Sequence, residues 1–353
     1  MNNCIITIKN KKVLSTQQIV ANFIDACAKA NYYFDKNASI SFNNAKEITK
    51  QLADCVSYDN SVIFCPAQMI SSVKGFISQS FGVQFNEKDC LHCDNKSVYV
   101  VADDVFDFNY VIDSLNNKYG VKHAKLYVKC IGAPLELIDE MVEKARAQYT
   151  NLSIFAQSVY DEQTIEITYD DSTTKMVLDA VLRTFMTALN PYVYAMEDVT
   201  LAQRVFELLK LRRMKISIAE SFTGGGLSAK LVEIPGVSEV YFEGLNTYSN
   251  LSKSERLGVG DITLKQHGAV SGETACEMAQ GLIDAGHCDV AISTTGIAGP
   301  SSDGTNKPVG LCFIAVAIKE GVSAYKYNFV GDRKTITNTA INHALFLAYK
   351  TLK

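Results

Sequence analysis

The chain has 353 residues, enough for two or three domains of ordinary size. It is 47% hydrophobic and 20% charged, which provides apolar side chains for buried cores and excludes an intrinsically disordered protein. Its net charge is −4 and its Lys and Arg residues form no run, so we expect no nucleic-acid partner and no membrane surface. Because no apolar stretch reaches membrane-spanning length, the sequence predicts a cytoplasmic protein.

Residues 1–120 alternate short apolar strands with helical stretches, which predicts a three-layer α/β domain with a mostly parallel sheet. The predicted strands cover residues 4–8, 61–65 and 97–101, and the predicted helices cover residues 16–30, 45–55, 71–81 and 105–118. Phosphate-binding turns in such folds use glycine. The turns at residues 9–12 (KNKK) and 66–69 (PAQM) have none, so we expect this domain to be a scaffold.

Residues 121–196 follow the order βαββαβ, which predicts a small α+β domain of the KH-like kind. The predicted strands cover residues 125–131, 152–158, 164–169 and 192–194, and the predicted helices cover residues 134–149 and 173–189. Such domains often bind nucleic acid, but this one has neither a GXXG loop nor a basic stripe. We therefore expect it to bind no nucleic acid.

The ten cysteines show no disulfide-framework spacing, and most lie in apolar runs typical of buried thiols. Residues 90–93 (CLHC) could begin a zinc site, but no second pair of ligands follows. The spacing favours an inert loop here and no metal.

Glycine is concentrated near the C-terminus, where residues 224–331 hold 17 of the 21 glycines. Glycine allows tight turns and close approach to ligands, so we expect the chemistry in an α/β domain at residues 197–353. A predicted strand at residues 214–220 runs into Ser221, three glycines at 224–226 and a helix at 227–233. Two interpretations are open. Ser221 is either the N-cap of that helix or a nucleophile on a sharp turn beside an oxyanion hole.

A serine nucleophile needs a base. This region offers only His267, His287 and His343, and we expect no carboxylate to orient any of them. Lys253 is an alternative base, because burial lowers the pKa of a lysine. Tyr248 and Lys253 flank a strand-to-helix junction and can lie on the same side of it. The competing interpretation of Lys253 is a solvated residue on a helix surface.

Two further blocks have the features of ligand sites. Residues 293–300 (STTGIAGP) follow a buried strand at 289–292, and open α/β sheets bind ligands at the carboxyl ends of their strands. Arg333 opens the last predicted helix, where it either binds a phosphate or is an ordinary surface residue. Ser271 is predicted to cap the helix at 273–284.

Eight blocks occur in one order over residues 200–353: AESFTGGG, IPGVS, YSNLSK, LGV, HGAVS, TTGIAGP, KPVG and GDR. They closely resemble the C-terminal domain of the CinA family of competence/damage-inducible proteins. The resemblance implies a nicotinamide-nucleotide amidohydrolase, which converts nicotinamide mononucleotide and water to nicotinate mononucleotide and ammonia. The chain departs from the family at Phe222, where a cysteine is usual, and at residues 301–304 (SSDG), where the family is richer in glycine.

The resemblance also implies roles for single residues. Ser221 would attack the carboxamide carbon, Lys253 would accept the serine proton, and Tyr248 would assist that transfer. Thr295 and Gly296 would line the amide pocket, and Thr295 is also grouped with the catalytic residues. Donors to the oxyanion would come from Thr223, Gly224 and Gly225. Arg333 would hold the nucleotide phosphate. No metal or cofactor is implied. A pyridine nucleotide is the implied small-molecule partner, and a homodimer is the implied assembly.

Upstream the resemblance is weaker. Two-domain CinA proteins begin with a molybdopterin-binding-like domain, linked in some members to ADP-ribose pyrophosphatase activity. The corresponding stretches here, residues 9–14 (KNKKVL) and 65–70 (CPAQMI), lack the glycines and acidic residues of the family motifs. We therefore expect a degenerate domain that serves assembly or stability. Two alternatives stay open: ADP-ribose hydrolysis by this domain, and a non-catalytic nucleotide-binding protein of competence.

Overall fold

The computed structural model describes residues 2–9, 15–30, 32–86, 90–103, 109–119, 123–302, 304 and 306–353. They form three sheets with packed helices, which confirms the predicted α/β class. Two compact units are present, Met1–Ala124 with Asp170–Ser172, and Lys125–Tyr169 with Thr173–Lys353. The division into domains at residues 1–120, 121–196 and 197–353 stays a prediction. Within the described residues, no helix is long and apolar enough to cross a membrane.

The first unit contains a five-stranded sheet in the order β2-β1-β3-β5-β4. Its elements are β1 (Asn3–Lys9), α1 (Ser15–Lys29), β2 (Lys36–Ser41), α2 (Ala45–Asp54), β3 (Asn60–Cys65), α3 (Ile70–Phe81), β4 (Cys90–Cys93), β5 (Lys96–Ala102) and α4 (Asn109–Tyr119). All neighbouring strands are parallel except β4 and β5. Helices α2 and α3 bury their apolar side chains on one face, and α1 and α4 do so on the other.

One local prediction for this unit is wrong. Cys90–Cys93 forms strand β4, not a loop, because it pairs antiparallel with β5. The Sγ atom of Cys90 lies 3.2 Å from Nε2 of His92. In the described part of the chain, no three His, Cys, Asp or Glu side chains group as metal ligands would. Residues 10–14 and 105–108, which belong to a predicted turn and a predicted helix, lie outside the described residues.

The second unit begins with a four-stranded sheet in the order β7-β8-β6-β9. Its elements are β6 (His123–Ile131), α5 (Leu135–Gln148), β7 (Ser153–Val159), β8 (Glu162–Asp170), α6 (Lys175–Leu189) and β9 (Val193–Ala195). This confirms the predicted βαββαβ order. Apolar side chains of α5 and α6 cover one face of the sheet and form its core.

The third sheet has the order β11-β10-β12-β13-β14. Its strands are β10 (Ile216–Glu220), β11 (Tyr241–Asn246), β12 (Val290–Gly296), β13 (Leu311–Ile318) and β14 (Gly321–Asn328). The helices of this part of the chain are α7 (Leu201–Arg212), α8 (Gly226–Val232), α9 (Asn250–Leu257), α10 (Asp261–Gln266), α11 (Gly272–Asp284) and α12 (Arg333–Leu352). Helices α7, α8 and α12 cover one face, and α9 and α11 cover the other.

Three of these strands end at the same edge of the sheet. Strand β10 is parallel to both β11 and β12, so their carboxyl ends lie side by side. Ser221 follows β10, Tyr248 follows β11, and Gly296 ends β12. The sheet topology therefore gathers segments that are distant in sequence at the edge where such folds bind ligands.

Candidate active site

Ser221 lies on a sharp turn between β10 and α8. Gly224 and Gly225 have φ angles of 61° and 97°, in the left-handed region that glycine adopts without strain. The N–H group of Ser221 donates to the carbonyl oxygen of Thr294 at 3.0 Å, which joins the turn to β12. The N-cap of α8 is Gly225, so the interpretation of Ser221 as an N-cap is wrong. The turn has the strand–turn–helix form of a nucleophile elbow.

Lys253 is brought to this turn by the start of α9. Ser249 caps the helix, and its side chain and that of Ser252 form a reciprocal capping box. Lys253, four residues after the cap, is fully buried, with 0% of its surface exposed. Its Nζ atom lies 2.9 Å from Oγ of Ser221. The interpretation of Lys253 as a solvated surface lysine is therefore wrong.

The surroundings of Lys253 make its neutral amine easier to reach than that of a solvated lysine. Its Nζ atom lies 2.7 Å from the carbonyl oxygen of Thr247 and 3.4 Å from that of Tyr248. Burial lowers the pKa of Lys253 to about 8, because the charged form loses its hydration. A neutral amine has two N–H donors and one lone pair, and carbonyl oxygens only accept. When both carbonyls are satisfied, the lone pair is left for the proton of Ser221.

The backbone donors around Ser221 differ in part from those predicted. The N–H of Gly225 donates to Glu220 at 3.0 Å, and that of Gly224 donates to the carbonyl oxygen of Ser221 at 3.2 Å. Both N–H groups therefore have acceptors in this structure, and their role as donors to an oxyanion stays a prediction. The N–H groups of Phe222 and Thr223 have no acceptor among the residues that the structure describes. In nucleophile elbows the residue after the nucleophile contributes such a donor, which is the signal that could have identified Phe222.

Thr295 and Gly296 each have a close neighbour in the fold. Oγ1 of Thr295 donates to the carbonyl oxygen of Ala269 at 2.6 Å. A Cβ atom at Gly296 would lie 2.5 Å from Cβ of Cys312 on β13, so only glycine fits there. Their role in an amide pocket stays a prediction.

Thr294 is a site residue that the sequence did not single out. Its Oγ1 lies 2.7 Å from Oγ1 of Thr223, and both side chains are buried. Together with the backbone bond to Ser221, this contact ties the turn to β12.

Arg333 lies at the first position of α12, which Asp332 caps. Its Nη1 donates to the carbonyl oxygen of Gly299 at 2.8 Å, and its Nη2 donates to the hydroxyl of Tyr248 at 3.2 Å. Tyr248 is 61% exposed, and its carbonyl oxygen is the atom that accepts a hydrogen bond from Lys253. In this arrangement the Tyr248 hydroxyl contacts Arg333, and the role of Tyr248 in proton transfer stays a prediction.

A cavity of about 790 Å³ adjoins Arg333. Its walls are formed by Ala298, Gly299, Pro300, Val309, Gly331, Asp332, Arg333 and Lys334. Its space and the exposed guanidinium suit the sugar and phosphate parts of a nucleotide.

Glu220 is a further site residue that the sequence did not single out. It is 1% exposed, and its carboxylate accepts hydrogen bonds from the turn that carries Ser221. An acidic residue at the end of a buried strand, directly before the serine, is the signal that could have identified it.

Comparison with known proteins agrees with the resemblance. The model of the CinA C-terminal domain family matches residues 198–352. A protein of Caldicellulosiruptor saccharolyticus, named as a competence-damage inducible protein, is 43% identical over 183 residues, which cover 52% of this chain and 44% of that protein. A protein of Clostridium acetobutylicum with the same name is 35% identical over 237 residues, which cover 66% of this chain and 58% of that protein. The chain thus spans about half the length of these curated relatives.

A solved structure also matches part of the chain. The competence/damage inducible protein CihA from Agrobacterium tumefaciens is 37% identical, with a TM-score of 0.41. The match covers 42% of this chain and 90% of that one. On the family model and these sequence identities, residues 198–352 are a domain of the CinA C-terminal family.

Proposed function

We propose that this chain hydrolyses the carboxamide of nicotinamide mononucleotide to nicotinate mononucleotide and ammonia. The observation that carries the proposal is the 2.9 Å contact between Nζ of the buried Lys253 and Oγ of Ser221. A neutral lysine beside a serine hydroxyl is a nucleophile with its base. The CinA resemblance supplies the substrate.

In the first half-reaction, the Ser221 oxygen bonds to the carboxamide carbon while Lys253 takes the serine proton. The carbonyl oxygen becomes an oxyanion, and the N–H groups of Phe222 and Thr223 are the donors available to it. Lys253 then passes its proton to the departing nitrogen. The C–N bond breaks, ammonia leaves, and an ester of Ser221 remains.

In the second half-reaction, Lys253 takes a proton from a water molecule that attacks the ester carbon. The same backbone donors stabilise the second oxyanion. The C–O bond to Ser221 then breaks, and the serine oxygen recovers a proton from Lys253. Nicotinate mononucleotide leaves and the dyad is restored. Arg333, beside the cavity, binds the phosphate throughout.

Ammonia release from nicotinamide mononucleotide by the full chain tests the proposal. Ser221→Ala and Lys253→Met should each lower kcat by about 10³-fold or more, because each removes a reacting group. Ser238→Ala and Lys265→Met, at exposed positions, are the matched controls and should keep full activity.

Two results would contradict the proposal. Normal ammonia release by Ser221→Ala would reject the mechanism. Tight binding of the mononucleotide in calorimetry, without turnover, would instead support a non-catalytic nucleotide-binding protein. Release of AMP from ADP-ribose that survives Ser221→Ala would point to a separate activity of the first unit.

A further inference from the structure

The carboxylate of Glu220 is buried beside the proposed nucleophile and accepts four hydrogen bonds. The N–H groups of Gly225 and Leu227 donate to Oε2, each at 3.0 Å. Ser228 donates to Oε1 through its N–H at 2.8 Å and its hydroxyl at 2.6 Å. All four donors belong to the turn after Ser221 or to the first turn of α8, where the helix dipole favours a negative charge.

Glu220 also contacts the segment that holds Lys253. Its backbone carbonyl oxygen accepts the N–H of Thr247 at 2.7 Å. The carbonyl oxygen of Thr247 in turn lies 2.7 Å from Nζ of Lys253. One residue therefore connects the turn that carries the nucleophile with the turn that orients the base.

The carboxylate also determines which backbone donors are free. Because Glu220 accepts the N–H of Gly225, that donor is not available to an oxyanion, whereas those of Phe222 and Thr223 are. Ser228, one of the donors to Glu220, is also closely packed against the sheet. A Cβ atom at Gly244 on β11 would lie 2.3 Å from Oγ of Ser228, so glycine is required where that serine meets the sheet.

We propose that Glu220 is a positioning residue that holds Ser221 and the N–H groups of Phe222 and Thr223 in their reactive geometry. This inference rests on the proposed function of Ser221 as a nucleophile. Glu220 touches no reacting atom and acts through the turn. An ionised carboxylate is needed, because four donors converge on two acceptor oxygens. In glutamine one of those oxygens is replaced by an NH₂ group, which would face donors and could not accept their hydrogens.

The first measurement is the rate at which a serine-directed phosphonofluoridate labels Ser221, because it depends on the nucleophile and not on the identity of the substrate. Glu220→Gln should slow labelling by about 10²-fold, the loss expected when a nucleophile is misplaced by about 1 Å. Glu233→Gln makes the same chemical change at an exposed position at the other end of α8 and should label at the normal rate.

The second measurement is turnover of nicotinamide mononucleotide. Glu220→Gln should lower kcat by about 10²-fold and leave KM within about threefold, because the turn acts on the transition state and not on phosphate binding. If Glu220 had only a structural role, Glu220→Gln would reduce the folded fraction, and the protein that remained folded would keep a normal kcat. Amide hydrogen exchange should rise at residues 225, 227 and 228 and stay unchanged in the strands of the sheet.

Ser228→Ala covers the case in which Glu220→Gln does not fold. It removes one of the four hydrogen bonds and should lower labelling and kcat by about tenfold, with KM unchanged. Normal labelling and normal kcat in Glu220→Gln, or in Ser228→Ala if the first variant is unfolded, would overturn the inference.

Failure of the inference is distinguishable from failure of the proposed function. If the wild-type chain labels at Ser221 but releases no ammonia, the substrate is wrong and labelling still tests Glu220. If wild-type Ser221 does not label while ammonia is released, the hydrolysis stands, but Ser221 is not the nucleophile, and the serine mechanism and the role of Glu220 are both wrong. If Ser221→Ala is inactive while Glu220→Gln labels and turns over normally, the mechanism stands and the role of Glu220 is wrong.

Discussion

The Nζ atom of Lys253 lies 2.9 Å from Oγ of Ser221, and the lysine has no exposed surface. Only the uncharged amine can accept the serine proton, and burial lowers the pKa of Lys253 to about 8. We expect kcat/KM for nicotinamide mononucleotide to rise about tenfold per pH unit up to about pH 8 and to level off above it. A pH series from 7 to 10 measures this. A flat profile would show that Lys253 is not the base.

The same group makes stability depend on pH. The folded state holds Lys253 with a pKa of about 8, and the unfolded chain restores the ordinary value of 10.5. Between these values the unfolded state binds more protons, so stability rises with pH. The free energy of unfolding rises by about 3 kcal/mol between pH 8 and 10.5. Below pH 8 the lysine is charged in both states, so the loss of stability from burying that charge is constant.

Lys253→Met isolates this contribution. The free energy of unfolding of the wild type, minus that of the variant, should increase over this pH range when measured by urea denaturation. Lys265→Met, at an exposed site, should show no such trend. A constant difference for Lys253→Met would mean that the lysine keeps its ordinary pKa.

Tyr248 contacts Arg333 through its hydroxyl and Lys253 only through its carbonyl oxygen. Because a phenylalanine keeps that carbonyl, Tyr248→Phe should leave kcat within about threefold of the wild type. Steady-state ammonia release measures this, with Tyr325→Phe as the control at another exposed tyrosine. A fall in kcat of about 10²-fold would restore a role for the hydroxyl in proton transfer.

Arg333 is proposed to bind the phosphate of the substrate. Arg333→Ala should therefore raise KM for nicotinamide mononucleotide by about 10- to 100-fold, which is the effect of losing one charge-assisted contact. We expect little change in kcat. Nicotinamide riboside has no phosphate, so its kcat/KM should be the same in both proteins. Lys334→Ala, at the next and also exposed residue, is the control. An equal loss for both substrates would place Arg333 outside the phosphate site.

Local patterns were sufficient for much of the fold. The alternation of strands and helices in the first unit and the βαββαβ order in the second follow from hydrophobic periodicity, which neighbouring residues determine. Ser271 caps α11 as predicted, since capping is also a local interaction. The prediction of a loop at Cys90–Cys93 was wrong, because a short strand at the edge of a sheet depends on its partner strand. Here that partner is β5, 3 to 12 residues further along the chain.

For the site, the sequence by itself offered Ser221 as a candidate nucleophile and Lys253 as a candidate base, and the CinA resemblance implied the same roles. It left open whether the lysine was buried and the serine a cap, because both depend on β10, β11 and β12 lying side by side. Only the tertiary structure decided which N–H groups are free. A donor is available only if no other group accepts it, and the acceptor here is Glu220, whose carboxylate folds back onto the turn.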